Sequence, residues 1–252
     1  MLSKNQIKYI NSLQLKKFRQ QYQSFVVEGT KSILELIASD YKIEMIAATN
    51  EFLQKYGSIL PDGDFEIINS TADDLSKLGS FQSNDGAIAV VNMKPNQPLK
   101  IRPSDYTLVL DDIRDPGNLG TIIRIADWYG FDGIICSDTT TDFYNPKVIA
   151  ASKGSFCRIR PYYTNIGEFL SQQPKKCRII GMLLEGQSVY DYTFPAEGAF
   201  VIMGNESHGI SNEIRELVSD PVSIPRFGMA ESLNVGIATA IICDHIRQKA
   251  GK

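Results

Sequence analysis

The sequence predicts an α/β protein in two parts, a smaller mixed α/β domain followed by a larger domain built on a parallel sheet. Three observations carry that reading. Short apolar runs rich in β-branched residues alternate with stretches of helical spacing along the whole chain. A stretch with three prolines and no apolar periodicity, KPNQPLKIRPSD at 94–105, interrupts the alternation. In the second half, three polar, glycine-containing loops follow strand-like runs: DPGNLGTIIR at 115–124, MGNESHGIS at 203–211, and the turn inside IPRFGMAESLNVGIATAII at 224–242.

In the first part, helical spacing runs from about Ser3 to Gln21 and leads into the strand SFVVEG. The helix TKSILELIAS, the strand IEMIAAT, a helix around EFLQKYG, the strand FEIIN and the helix TADDLSKLG follow. In the last of these, Thr71 is placed to cap the N-terminus, with Asp73 and Asp74 favourable in the first turn. AIAVVNM at 87–93 closes the domain, which is expected to span 1–97, with a linker at 98–105 and the second domain at 106–252. The second domain starts with the strand YTLVLD, a loop, a helix from about Asn118 to Tyr129 and the strand GIIC. A helix around PKVIAAS, the strand RIRPYY, the helix IGEFLSQ and the strand RIIGMLL come next. AFVIMG, a helix from Ser211, a short strand ending in Ile224 and Pro225, and a final helix complete it. Strands separated by helices imply a parallel sheet covered on both faces, whose ligands collect at the carboxyl ends of the strands. All three unusual loops fall there.

Composition excludes several classes. Of the residues, 43% are hydrophobic and 22% charged, as in globular proteins. The start, MLSKNQIKYINSLQ, has no apolar signal core, and no apolar run approaches a membrane span, so a cytoplasmic protein is expected. Cys136, Cys157, Cys177 and Cys243 form no CxxC pair and have no His set beside them, so reduced thiols are expected and a metal site is not. The net charge of −3 gives no global sign of nucleic-acid binding. The first 27 residues nevertheless carry Lys4, Lys8, Lys16, Lys17 and Arg19 and no acid, a basic face able to meet phosphate or simply a solvated helix.

The loops carry the chemistry. In the first, Pro116 and Gly117 shape a turn, Asn118 is placed to cap the helix, and Gly120 permits close approach of the backbone. Arg124 lies one turn beyond Gly120 on the same side, where a guanidinium could clamp a phosphate or carboxylate. GNLG lacks the spacing of a dinucleotide fingerprint. In the second loop, Gly204 allows main-chain groups to meet a flat ligand, and Glu206 could hold an amine or an Arg. His208 belongs to no Ser–His–Asp order and is not expected to be catalytic. Asp111 and Asp112 are explained by strand-end solvation and turn capping. In the third loop, Ser232 and Asn234 stand at the mouth of a helix whose Val235, Ile237, Ala238, Ile241 and Ile242 are expected to be buried. A helix N-terminus with free N–H groups suits a polar or anionic ligand.

Asn118, Gly120 and Arg124 in NLGTIIR, then Gly204, Asn205 and Glu206, then Ile224 and Pro225 followed by SLNV at 232–235, resemble in order and spacing motifs 1, 2 and 3 of the SpoU/TrmH family of SPOUT RNA ribose 2′-O-methyltransferases. The match covers 106–250. The first domain, on SFVVEGTKSILELI, looks like the L30e-like substrate-binding domain attached to many family members. The resemblance implies a C-terminal segment threaded through a deep trefoil knot, S-adenosylmethionine bound there, and a homodimer sharing its site across the interface. It implies cofactor contacts at Leu183, Gly204, Ile224 and Leu233, and catalytic or site-shaping roles for Asn118, Arg124, Glu206, Ser232 and Asn234. One departure is visible. The family often has Gly after GNE, where this chain has Ser207 and His208, with Gly209 as the candidate for the turn.

The expected reaction is transfer of a methyl group to a ribose 2′-hydroxyl, with ribosomal RNA favoured over transfer RNA as substrate. Arg124 is the residue the family assigns to hydroxyl activation, but a guanidinium does not give up its proton. Phosphate binding and electrostatic stabilisation of the developing alkoxide is the preferred role. Lys16, Lys17 and Arg19 are the expected RNA contacts. Two alternatives stay open: a non-catalytic RNA-binding or assembly factor that keeps the fold, and a Rossmann-type nucleotide enzyme.

Overall fold

The computed structural model describes residues 2–61, 63–78 and 86–250. The chain divides into two compact units, Met1–Pro95 with Asp142–Cys157, and Asn96–Thr141 with Arg158–Lys252.

The first unit contains α1 (Lys4–Ser12), α2 (Lys16–Tyr22), β1 (Ser24–Glu28), α3 (Thr30–Ile37), β2 (Ile43–Ala48), α4 (Asn50–Tyr56), β3 (Glu66–Asn69), α5 (Ala72–Ser76) and β4 (Ala87–Asn92). Its four strands lie in the order β1-β4-β2-β3, with β4 antiparallel to both β1 and β2, and β2 parallel to β3. A capping box starts α1: Gln6 N–H donates to Ser3 Oγ, while the Ser3 amide donates to Gln6 Oε1. Thr71 caps α5 as expected, accepting from the Asp74 amide at 3.1 Å; Gly79, the last residue of the helical stretch read there, lies outside the described residues.

The single helical stretch expected from Ser3 to Gln21 is two helices. The break at Leu13–Leu15 has a physical cause. Leu13 is fully buried in the core, and Arg19 Nη1 donates to the Leu13 and Gln14 carbonyls at 2.9 Å each, satisfying acceptors that the end of α1 leaves open. Along β1, alternation sends Val26 to a core with Ile10, Leu13, Met45, Ile68 and Ile88. Phe25 goes to an aromatic cluster instead. Its ring centroid lies 5.7 Å from Tyr41, 4.7 Å from Tyr144 and 5.9 Å from Phe156. Tyr144 and Phe156 belong to the 142–157 segment, which carries the helix Pro146–Ser152 (α7 in chain order). This segment, expected in the second domain, is part of the first unit because burial of those rings against Phe25 outweighs chain proximity.

The second unit contains β5 (Tyr106–Leu110), α6 (Pro116–Trp128), β6 (Gly133–Cys136), β7 (Arg160–Tyr163), α8 (Ile166–Ser171), β8 (Arg178–Ser188), β9 (Ala199–Met203), α9 (Asn212–Arg215), β10 (Asp220–Ser223) and α10 (Val235–Ala250). Six strands form a sheet in the order β10-β8-β9-β5-β6-β7, and every neighbouring pair is parallel. Val109, Ile135, Ile179, Phe200 and Ile202 face Ile166 and Leu170 of α8 and Ile214 of α9. The alternate residues Leu108 and Leu110 are equally buried, so the sheet is covered on both faces. The stretch expected as a linker, 98–105, has no helix or strand, yet Leu99 and Ile101 pack onto this core.

Two further details differ from expectation. β10 ends at Ser223, which leaves Ile224 and Pro225 in the loop. On α10, Val235, Thr239, Ile242, Cys243 and Ile246 are buried, at helical spacing, whereas Ile237 is 53% exposed and Ala238 and Ile241 are half-buried. Burial pushes the thiols of Cys136 and Cys243 up, the latter to about 12, so both are inert core side chains. Among the described residues no helix is long and apolar enough to cross a membrane.

Candidate active site at the carboxyl edge of the parallel sheet

The three loops leave β5, β9 and β10 at their carboxyl ends. The first opens on α6, whose cap is Asp115 and not Asn118: Asp115 Oδ1 accepts the Asn118 amide at 2.8 Å, and Pro116 occupies the first helical position. The Asp-Pro pair is the signal that marks this start in the sequence, since Pro at the first helical position needs no partner for its missing N–H. The shift matters for the site. It places Asn118 in the first turn with its side-chain amide unused by the helix.

That amide joins the other two loops. Asn118 Nδ2 donates to Glu206 Oε1 at 2.5 Å, and Asn118 Oδ1 accepts from Asn234 Nδ2 at 2.9 Å. Asn234 in turn caps α10, its Oδ1 accepting from the Gly236 and Ile237 amides at 2.9 and 3.4 Å. Residues from all three loops are thus connected side chain to side chain. Gly236 lets the first turn of α10 approach the second turn of α6, since a Cβ there would lie 3.0 Å from Thr121 Cγ2.

The second loop is a closed cap. Asn205 N donates to Gly209 O at 3.0 Å and Gly209 N to Asn205 O at 2.9 Å, with Gly209 at φ +72° supplying the turn. Gly204 is also required by the loop itself, since a Cβ there would fall 2.3 Å from the Gly209 carbonyl carbon. Asp111 and Asp112 are buried, not solvated at the strand end. Asp111 Oδ2 accepts the Ser211 amide at 2.8 Å. Asp112 Oδ2 faces Asn205 Nδ2 at 3.2 Å and His208 Nε2 at 3.1 Å, and Asp112 Oδ1 accepts from Arg114 Nε at 3.0 Å. Burial opposes ionisation of Asp112, but hydrogen bonds from Arg114, Thr139 and His208 outweigh it and hold the carboxyl below its ordinary range. Its contribution to stability is therefore complete above the ordinary carboxylate range and fades as pH falls through the lowered value.

Arg124 is exposed on α6, and among the described residues it has no hydrogen bond or ion pair. Gly120 is buried on the same helix. Ser232 is exposed beside Asn234, Leu233 is 49% exposed and Ile224 is half-buried. Leu183 lies on β8 where its pairing with β10 jumps: Pro221 matches Gly181, and Val222 matches Gln187. Leu183 is partly buried against the sheet core. Apolar Leu233 and Ile224 share the third loop with Asn234, which the Asn118 amide connects to the Glu206 carboxylate. Among the described residues no group of three or more His, Cys, Asp or Glu is placed to hold a metal ion.

The basic face does not have the composition expected of it. Lys16 and Lys17 are exposed, but Arg19 is only 2% exposed, and its Nε and Nη2 donate to Asp142 Oδ2 at 3.0 and 2.6 Å. Arg19 is a structural ion-pair residue of the first unit. Its guanidinium is spent on Asp142 and two main-chain carbonyls and is closed to an external phosphate.

The chain is an α/β protein whose parallel sheet gathers three linked loops at its carboxyl edge, the place where ligands bind in open α/β sheets. The family model described as SpoU rRNA Methylase family matches residues 105–244, and a second, described as MRM3-like substrate binding domain, matches 4–89. The chain is 29% identical over 247 residues, 97% of either chain, to "23S rRNA (guanosine(2553)-2′-O)-methyltransferase RlmP" of Bacillus subtilis (strain 168). A solved putative RNA methyltransferase of the TrmH family from Porphyromonas gingivalis superposes with a TM-score of 0.88 at 34% identity, covering 98% of this chain and 99% of that one. An S-adenosylmethionine-bound rRNA methyltransferase from Sinorhizobium meliloti gives 0.87 at 27% identity, with coverage of 98% and 96%. The chain belongs to the SpoU rRNA methylase family.

Proposed function

We propose that the protein is an S-adenosylmethionine-dependent RNA methyltransferase that modifies a ribose 2′-hydroxyl of ribosomal RNA in the cytoplasm. The observation that carries the reading is the side-chain chain Glu206–Asn118–Asn234, which assembles three loops into one site with an unpartnered Arg124 on the same helix as Asn118. The choice of ribosomal RNA rests on relatives such as the B. subtilis enzyme, which is named for 23S rRNA.

When bound, the cofactor supplies an electrophilic methyl on a sulfonium. Leu183, Ile224 and Leu233 line its site, with main-chain groups at Gly204, Ile224 and Leu233. Glu206 is held in place by Asn118, and an acidic side chain there complements a cation. Arg124 binds the phosphate beside the target ribose and stabilises the oxygen as it loses its proton, which leaves through that phosphate or water. Ser232 and Asn234 orient the ribose, and alignment of oxygen and methyl carbon is the main contribution of the site. Isothermal titration calorimetry tests the reading. S-adenosylmethionine is expected to bind; no binding, or a preference for a nicotinamide dinucleotide, overturns it.

The first unit is the RNA-gripping module, an L30e-like domain by resemblance, with Lys16 and Lys17 on its exposed basic helix. Reversing both to Glu is expected to weaken RNA binding by roughly tenfold at low salt, since each phosphate contact adds a counterion-release term, and to leave cofactor affinity unchanged. Filter binding at two salt concentrations checks this. Unaltered RNA affinity removes the two lysines from the interface.

The second unit threads its C-terminal segment as a trefoil knot and pairs with a second copy. The surface supports pairing: Trp128 at the end of α6 is 84% exposed, Ile237 on α10 53% and Leu233 49%, apolar side chains left to water by a lone chain. Sedimentation should give a dimer for the wild type and a monomer for Trp128→Asp; a monomeric wild type would contradict the shared site.

A further inference from the structure

We propose that Asp112 and His208 form a latch that holds the second loop, and with it Glu206, against Asn118, which makes both of them positioning residues for methyl transfer. The proposal rests on the methyltransferase reading above. It starts from the backbone: Asp112 adopts φ +60°, the left-handed region that glycine enters freely and that Asp enters more readily than most residues with a side chain. A turn alone would be served by glycine. The carboxylate that stands there is buried, and donors from three segments converge on it: Arg114 Nε at 3.0 Å, Asn205 Nδ2 at 3.2 Å and His208 Nε2 at 3.1 Å, together with Thr139. The backbone joins in. The Asp112 carbonyl accepts from Asn205 Nδ2 at 2.7 Å, and its amide donates to Ser137 Oγ at 2.9 Å.

Asn205 and His208 bracket Glu206 and Ser207. Within the bracket the Ser207 amide donates to Asn205 Oδ1 at 2.8 Å, and the two Asn205–Gly209 backbone bonds close the loop. These bonds make the cap one hydrogen-bonded piece, and Asp112 ties it at two side chains to the end of β5, a few residues before α6 begins. Glu206, carried on that piece, meets Asn118 at 2.5 Å. The left-handed turn at Asp112 thus sets its carboxylate where it grips the cap. His208 supplies the second half of the latch.

The test uses Asp112→Gly, which keeps the backbone turn and removes the carboxylate, with His208→Ala, His208→Gln and the double variant. Asp112→Gly and His208→Ala are each expected to lower kcat roughly tenfold with KM for RNA within about twofold, as misplacement of a site group does. His208→Gln, which retains a donor, restores most of kcat, and the double variant is no worse than the worse single one. Independently of any substrate, both single variants speed amide hydrogen exchange at 205–209 by about tenfold. Wild-type exchange and kcat in both single variants, additive losses, or failure of His208→Gln to rescue overturn the latch. A wild type that transfers no methyl group to RNA overturns the functional reading instead, and the exchange rates then decide the latch alone.

Discussion

Arg124→Ala lowers kcat for methyl transfer by roughly 100- to 1000-fold, the loss typical of removing one preorganised stabiliser of developing negative charge, while S-adenosylmethionine binds as to the wild type. The expectation follows from where Arg124 is. It is exposed on α6, two turns from the helix start and without an internal partner among the described residues, so its removal costs the fold little and the reaction much. Arg124→Lys discriminates between two roles. A lysine keeps a positive charge but not the bidentate fork that matches a phosphate. If Arg124 acts by electrostatics, Lys restores part of the rate and the pH–rate profile keeps its shape. A basic limb that vanishes only when Arg124 is lost would make it a true base and would contradict the mechanism.

The largest effect on stability is expected at Arg19. Arg19→Met leaves Asp142, 14% exposed, without its ion pair and strips the Leu13 and Gln14 carbonyls of their donor. Breaking a buried pair by deleting one partner costs about 3–5 kcal/mol. Urea denaturation followed by circular dichroism reads this directly. Lys16→Glu, on the same helix, is expected to leave the midpoint unchanged. Equal stability of Arg19→Met and wild type would show that the pair contributes nothing net. The contrast also corrects how the basic face should be probed. Reversing Lys16, Lys17 and Arg19 together would confuse loss of RNA contact with loss of the unit.

Residues that act locally were the legible ones. Thr71 caps α5 because a threonine before two acids can do little else. The loops after β5, β9 and β10 stand out because glycine, asparagine and serine interrupt apolar runs where a parallel strand must end. Residues decided by distant partners were illegible. Arg19 reads as a surface charge until Asp142, 123 positions away, is beside it. Helix α7 reads as part of the second domain until Tyr144 and Phe156 are seen against Phe25. Ile237 fits a helical apolar stripe, yet the stripe that packs runs through Val235, Thr239 and Ile242 and leaves Ile237 in water. At the site, the residue types were readable but the wiring was not. Nothing in the sequence says that Asp115 takes over the cap and frees Asn118 to bridge Glu206 and Asn234, although the Asp-Pro pair hints at the first half.

The measurement that bears most directly on the account is a map of ribose 2′-O-methyl marks across all RNA from cells with and without this gene, complemented by wild type or Arg124→Ala. The account predicts that a ribosomal RNA mark disappears with the gene, returns with the wild type and does not return with Arg124→Ala. Ribosomal marks identical in every strain, or a lost mark confined to transfer RNA, would contradict it.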